Sequence, residues 1–514
     1  MPKTNSNPLF VLIKSLSKAE KRHFRLYAKR NFGEKNVKFL KLFDALDKQE
    51  SHDPEKIKAL FPKSSNSALS NLRAHLYEQL LISLRLLHRN ESSVRVHELL
   101  SFANVLYSKG LYLQSLEQLK RARVFAEAIS DDLSLHTIVE LERRIELFFV
   151  TESGENRALE IVDTNLMSRK QLATRDDWSN IALLLYDYYL KFGHVKNERQ
   201  FNKIASLFKE KVEAIEDHEI SVQGQIYKHM AYTWYHFITQ NFALCYRHAQ
   251  DWVGLLESNE VILKNEPILY LKGMHNVQSA LFYSNKPRQF EQSFEQLQSF
   301  VAKHSEGFDE NTRMLAQVYG YMGRLNTLFL SGTFRGNEEF VTELNEWLEE
   351  HEQYLDLNRF QVFHYKIASL HFGADDFKNC IVHLNKIIHA DVKEKSLKQD
   401  VQCFARILNL VAHFELGNDD LVEYQLKSTY RFLNKYGDLQ KVQEYIMQSI
   451  RKAMMTQKDE VIPLFEGLKN QLEEVFDDPY EQRPLLYLDL ISWLKSRISG
   501  RSVEEIIQER QALR

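Results

Sequence analysis

The sequence predicts an all-α protein: an α-solenoid of antiparallel helical hairpins behind a small basic helical N-terminal domain. Three observations carry this. The nine prolines of the 514-residue chain leave residues 63–266 and 288–462 without one. Proline breaks helix interiors, and short-strand folds need frequent Gly/Pro turns, so tracts of that length favour helices. Apolar residues recur at helical spacing in almost every segment after residue 90. Turn signals fall near Gly110, Gly154, Gly193, Asn241, Asn285, Gly332, Ala374 and Gly417, at intervals of 44, 39, 48, 44, 47, 42 and 43 residues. So regular a recurrence means stacked hairpins, each burying its apolar face on the next.

Three regions follow: a basic helical domain over 1–90, the hairpin array over 91–436, and a helical cap over 437–514. In the first, Ser17 and Glu20 form an S-x-x-E capping box that opens a helix through Arg30. A second helix runs from Val37 to Lys48. Asp53-Pro54 supplies an N-cap and a proline at the first helical position, opening Glu55–Phe61. After Pro62 and a Ser/Asn cluster a long helix covers Asn66–His88, with Leu69, Leu72, Leu76, Leu80, Leu84 and Leu87 in one stripe. The array's pattern is clear at 99–126, where Phe102, Val105 and Leu106 precede a Ser-Lys-Gly turn, and Leu116, Leu119 and Val124 follow it. The C-terminal region reads as helices to Phe476, an Asp-Asp-Pro break, a helix over Leu485–Ile498 and a last helix capped by Ser502 and Glu505. A solenoid needs such a cap over its final apolar face.

Three hairpins, aligned on Gly110, Gln240 and Asp375, share more than their turn. Seven residues earlier stand the small residues Ala103, Thr233 and Ala368. Two residues later stand Tyr112, Phe242 and Phe377, and five later Ser115, Cys245 and Cys380. This pattern resembles the tetratricopeptide repeat (TPR) family, in which the two helices of a unit cross at small residues and an aromatic opens the second. The units average about 44 residues where the family has about 34, and the family's terminal proline is absent, so a TPR-like array with longer helices is expected. The overall pattern is also similar to uncharacterised bacterial helical-repeat families. The TPR resemblance implies that a protein or peptide is recognised in the groove, with no cofactor.

Chemistry is sparse. There is no G-x-x-x-x-G-K-[ST] loop, no H-E-x-x-H, no G-x-S-x-G and no Cys/His set at zinc spacing. The expected protein is therefore not an enzyme and carries no metal or cofactor. Cys245, Cys380 and Cys403 are far apart and read as reduced packing thiols, and Cys245 and Cys380 take the small crossing position. Asp375-Asp376 and Asp419-Asp420 fall at helix starts and read as caps. His229, Tyr232, His236, His364 and His371 lie in first helices of hairpins and are the candidate groove residues. The apolar run Leu9–Ile13 is too short for a signal-peptide core or a membrane span. A soluble, cytoplasmic protein without membrane contact is expected, and no sequence feature indicates its oligomeric state.

Charge supplies the alternative function. Residues 1–90 contain 18 Lys/Arg against 8 Asp/Glu, a net +10 on a chain of net −3. In the helix after Ser17, Lys18, Lys21, Arg22, Arg25 and Lys29 fall within about a 100° sector at about 100° per residue. A single-sign stripe of this kind suits phosphate contacts or an acidic protein partner, and equally a solvated face or a contact with the acidic array. The segment 54–88 resembles a helix-turn-helix that would place Ser67, Ser70, Asn71 and Arg73 toward a groove. The leading expectation is a non-enzymatic peptide-binding scaffold. The alternative is a DNA-binding regulator whose basic head binds nucleic acid while the array senses a partner.

Overall fold

The computed structural model describes residues 7–32, 37–148, 156–216, 220–389, 399–436, 441–475, 480 and 490–512, and among these every regular element is a helix. The expected turn at Gly154, the Asp-Asp-Pro break and the first turn of the Leu485–Ile498 helix lie outside them. No helix among the described residues is long and apolar enough to cross a membrane. The chain divides into two compact units, residues 1–169 and 170–514.

The first unit contains α1 (Pro8–Ser15), α2 (Lys18–Phe32), α3 (Val37–Lys48), α4 (Pro54–Leu60), α5 (Asn66–Leu87), α6 (Ser92–Ser108), α7 (Tyr112–Ala128) and α8 (Asp132–Phe148). The capping box forms as its letters require: Glu20 accepts from the Ser17 amide at 2.7 Å and the Ser17 hydroxyl from the Glu20 amide at 3.2 Å. Asp53 accepts from the Glu55 and Lys56 amides, opening α4 at Pro54. One core gathers Phe24, Phe39, Leu42 and Phe43 around Leu76 and Leu80 of α5. A separate core joins α6, α7 and α8 through Leu99, Leu119 and Ile138. Of the α5 stripe, Leu69, Leu76 and Leu80 are buried while Leu87 is exposed.

The division falls within α9 (Arg157–Phe192). Then follow α10 (Glu198–Glu213), α11 (Val222–Ile238), α12 (Phe242–Glu257), α13 (Glu260–Asn265), α14 (Pro267–Tyr283), α15 (Pro287–His304), α16 (Glu310–Ser331), α17 (Glu338–His351), α18 (Leu357–Gly373), α19 (Phe377–Ile388), α20 (Gln399–Glu415) and α21 (Asp419–Tyr436). In the second unit α11 pairs with α12, α14 with α15 and α18 with α19, while first helices pack in series, α14 on α16, α16 on α18 and α18 on α20. This is a solenoid-like stack with two cores, one around Trp178, Leu185, Ile204 and Phe237 at the α9–α12 end and a larger one from Ile226 to Ile507.

The hairpin turns share one backbone device. Gly110, Gln240, Asn285, Gly332, Asp375 and Gly417 all adopt left-handed φ between 50° and 74°. The next amide then donates to the carbonyl five residues back, as in Asn241 to His236 at 2.8 Å, Asp376 to His371 at 2.9 Å and Thr333 to Leu328 at 3.0 Å. That bond closes the Schellman arrangement, which satisfies carbonyls the helix end would leave open. The small crossing residues behave as their size requires. Ala103, Thr233, Ala368, Ser115, Cys245 and Cys380 are all fully buried, and the Ser115 hydroxyl donates to the Ala103 carbonyl at 2.8 Å. Burial pushes the Cys245 and Cys380 thiols well up from the ordinary range, so both stay protonated.

The chain closes with α22 (Lys441–Ala453), α23 (Lys458–Glu474), α24 (Leu490–Ser499) and α25 (Val503–Ala512). α22 packs on α20, and Trp493 of α24 donates to Glu415 at 2.6 Å. α25 then returns along the turn edge of the stack. Glu504 accepts from the Phe334 and Arg335 amides, Gln508 donates to the Gly332 carbonyl at 3.2 Å, and Gln511 donates to Asn285 at 3.0 Å.

Candidate functional site

The second unit encloses a cavity of about 460 Å³, with walls from α9, α11, α14, α16 and α18 together with Trp252 of α12 and Val401 of α20. Three first helices contribute by the same rule. Counting back thirteen, ten, six and three residues from the left-handed turn residue gives Tyr227, Met230, Trp234 and Phe237 on α11, Lys272, His275, Ser279 and Phe282 on α14, and Tyr319, Met322, Asn326 and Phe329 on α16. These offsets are one helical face, since 3.6 residues complete a turn. α18 keeps the first three with Val362, Tyr365 and Ser369, and adds Lys366 and Arg359.

The walls are aromatic and the charge is of one sign. Tyr186 packs on Trp234 with ring centres 4.9 Å apart, and His275 stacks on Tyr319 at 4.2 Å with the rings 7° from parallel. Lys272, Arg359 and Lys366 line the cavity, and no Asp or Glu does so among the described residues. Arg359 is partnered by Asp356 at 3.1 Å outside the lining. Lys366 is not: its ammonium donates to Asn326 Oδ1 at 2.7 Å and lies over the Phe282 and Phe329 rings, 4.5 and 5.2 Å from their centres. Among the described residues no carboxylate reaches it. Desolvation pushes its pKa down to about 7, because a cation without a counter-charge is costly in apolar surroundings. Lys272 stands nearer solvent, and partial desolvation with the Arg359 charge also holds it below the ordinary range. An anionic group entering beside an apolar or planar body would complete both features.

The five expected groove residues do not line this cavity. His229, Tyr232 and His236 turn to the second helix of their own hairpin, where Tyr232 and His236 stack on His248 at 4.7 and 5.5 Å. His364 and His371 likewise meet His383. His229, His236, His364 and His371 stand eleven or four residues before the turn residue, about 100° around the helix from the cavity positions. The signal that separates the two faces is the shared turn: counted from it, the cavity offsets collect Lys, Tyr, Trp and Asn.

The basic stripe of α2 is split. Lys21 pairs with Asp47 at 2.8 Å, and Arg25 with Asp44 and Asp47 at 2.9 and 3.0 Å. Lys18, Arg22 and Lys29 are exposed and meet no acid among the described residues. Ser67, Ser70 and Asn71 are exposed on the first turns of α5, with Arg73 half-buried beside them. No family model matches the chain, and neither a curated protein nor a solved structure matches it.

Proposed function

We propose that residues 170–514 form a non-enzymatic scaffold or adaptor that binds an acidic protein or peptide segment in the cavity. The observation that carries this reading is the Lys366 ammonium, held in an aromatic-walled space with no carboxylate among the described residues to neutralise it. A ligand that brings its own carboxylate, at a chain end or on a side chain, supplies the missing charge in a site where such a bond is strong. The volume suits one or two residues with an apolar side chain against the Tyr and Trp walls. The TPR-like hairpin pattern supports the same reading by analogy of fold.

The test is fluorescence anisotropy with labelled hexapeptides that end in an apolar residue, each with a free or an amidated C-terminus, and with Asp-containing counterparts. Carboxylate-bearing peptides should bind the full chain and lose affinity in Lys366→Met. Equal binding of free and amidated forms that lack Asp, or binding indifferent to Lys366→Met, overturns the proposal.

The exposed trio Lys18, Arg22 and Lys29 favours a second reading, in which the first unit contacts nucleic acid as part of a DNA-binding regulator. A salt-dependent shift of duplex DNA by the full chain, lost when the three become Glu, supports it. Absence of binding at low salt refutes it, since an electrostatic binder is strongest there.

A further inference from the structure

We propose that His229, His248 and Asp251, none of which lines the cavity, form a three-ligand site for a divalent transition-metal ion of the zinc class on the α11–α12 hairpin. His229 Nδ1 stands 3.2 Å from His248 Nδ1 and 3.6 Å from an Asp251 carboxylate oxygen. One ligand atom from each residue lies within 4.8 Å of the other two. Zinc bonds of about 2.0–2.2 Å place neighbouring corners of a tetrahedron about 3.3–3.6 Å apart. Two edges therefore already have coordination length, and the third closes by rotation of the Asp251 side chain, which is exposed.

The surroundings suit a ligand set. His248 and Asp251 are one turn apart on α12, and His229 faces them from α11. Tyr232 and His236 stack on the His248 ring and fix its plane. Three protein ligands leave a fourth position for water or for a side chain of a bound partner.

A sister hairpin carries the same histidines without the site. In α18–α19, His364, His371 and His383 stand 135 residues after His229, His236 and His248, and Lys386 stands where Asp251 would be. Its His364 and His383 nitrogens are 3.0 Å apart, but both residues are buried, at 2% and 6% exposure. There the pair is a core hydrogen bond beside a cation. At α11–α12 a carboxylate and access to solvent turn the same pair into a site for an ion.

The experiment is a titration of the full chain, stripped with a chelator, with Zn²⁺ against a chromogenic competitor. One ion per chain with a Kd on the order of micromolar is expected, weakened by about 100-fold in Asp251→Lys and His248→Gln and unchanged in His383→Gln. Asp251→Lys copies the sister hairpin at an exposed position, so its far-ultraviolet circular dichroism and thermal midpoint should match the parent. Co²⁺ should give visible bands of a tetrahedral nitrogen–oxygen site that vanish in Asp251→Lys. No uptake tighter than about 100 µM, uptake indifferent to Asp251→Lys, or uptake lost in His383→Gln each overturns the proposal.

Discussion

Replacing Lys366 with methionine should make the protein more stable. The folded lysine holds its proton only to about 7, against 10.5 for an ordinary lysine. Between those values the unfolded chain binds more protons, so wild-type stability rises with pH across that window and the cost of the cation is largest below it. At about 1.4 kcal/mol per pH unit, that cost is on the order of 4–5 kcal/mol at pH 6.5 and on the order of 1–2 kcal/mol at pH 9.5. Methionine removes it but leaves Asn326, itself buried, without its 2.7 Å donor, a loss of about 1.5 kcal/mol. Lys366→Met should therefore gain about 3 kcal/mol at pH 6.5 and almost nothing at pH 9.5. Urea unfolding followed by tryptophan fluorescence measures this directly, because Trp178, Trp234, Trp252, Trp347 and Trp493 are the five tryptophans of the chain and all lie in the second unit. A wild type at least as stable as the variant at pH 6.5 would refute the reasoning. So would a difference that does not shrink at pH 9.5.

Three further outcomes are expected. From pH 6 to pH 9 the protonated fraction of Lys366 falls from about nine-tenths to about one-hundredth, so a free-carboxylate peptide should bind about 100-fold more weakly, with a much flatter profile in Lys366→Met; anisotropy titrations read both. Ala368→Leu should cost about 1–3 kcal/mol by overpacking the crossing of α18 and α19, while Cys380→Ala costs about 1 kcal/mol; urea midpoints that rank them the other way contradict the close approach. Gly332→Ala forces a side chain into φ +68° with its Cβ 2.8 Å from Ile507, and should cost about 1–2 kcal/mol and speed tryptic cleavage at Arg501.

The turns were legible because a left-handed residue leaves a mark in sequence every 40-odd residues. The crossing residues were legible because only small side chains fit where α6 meets α7, α11 meets α12 and α18 meets α19. The cavity was not. Met230 and His229 are adjacent letters, and which of them faces the cavity depends on a 100° rotation that hydrophobic periodicity does not resolve when both faces of a first helix are covered. The eye-catching histidines are the ones that stack on second helices. The split of the α2 stripe was not legible either, because the acids that meet Lys21 and Arg25 stand on α3, beyond the reach of a local pattern.

Stacks of hairpins ordinarily couple only nearest neighbours, so an end unit can fray while the middle stays folded. A cavity whose walls span Ser179 to Val401 changes that. An occupant touching α9, α11, α14, α16 and α18 at once would tie all of these helices together, so loosening any one of them would loosen its grip. If an acidic segment occupies the cavity as proposed, binding should sharpen the unfolding transition of the second unit as well as shift it.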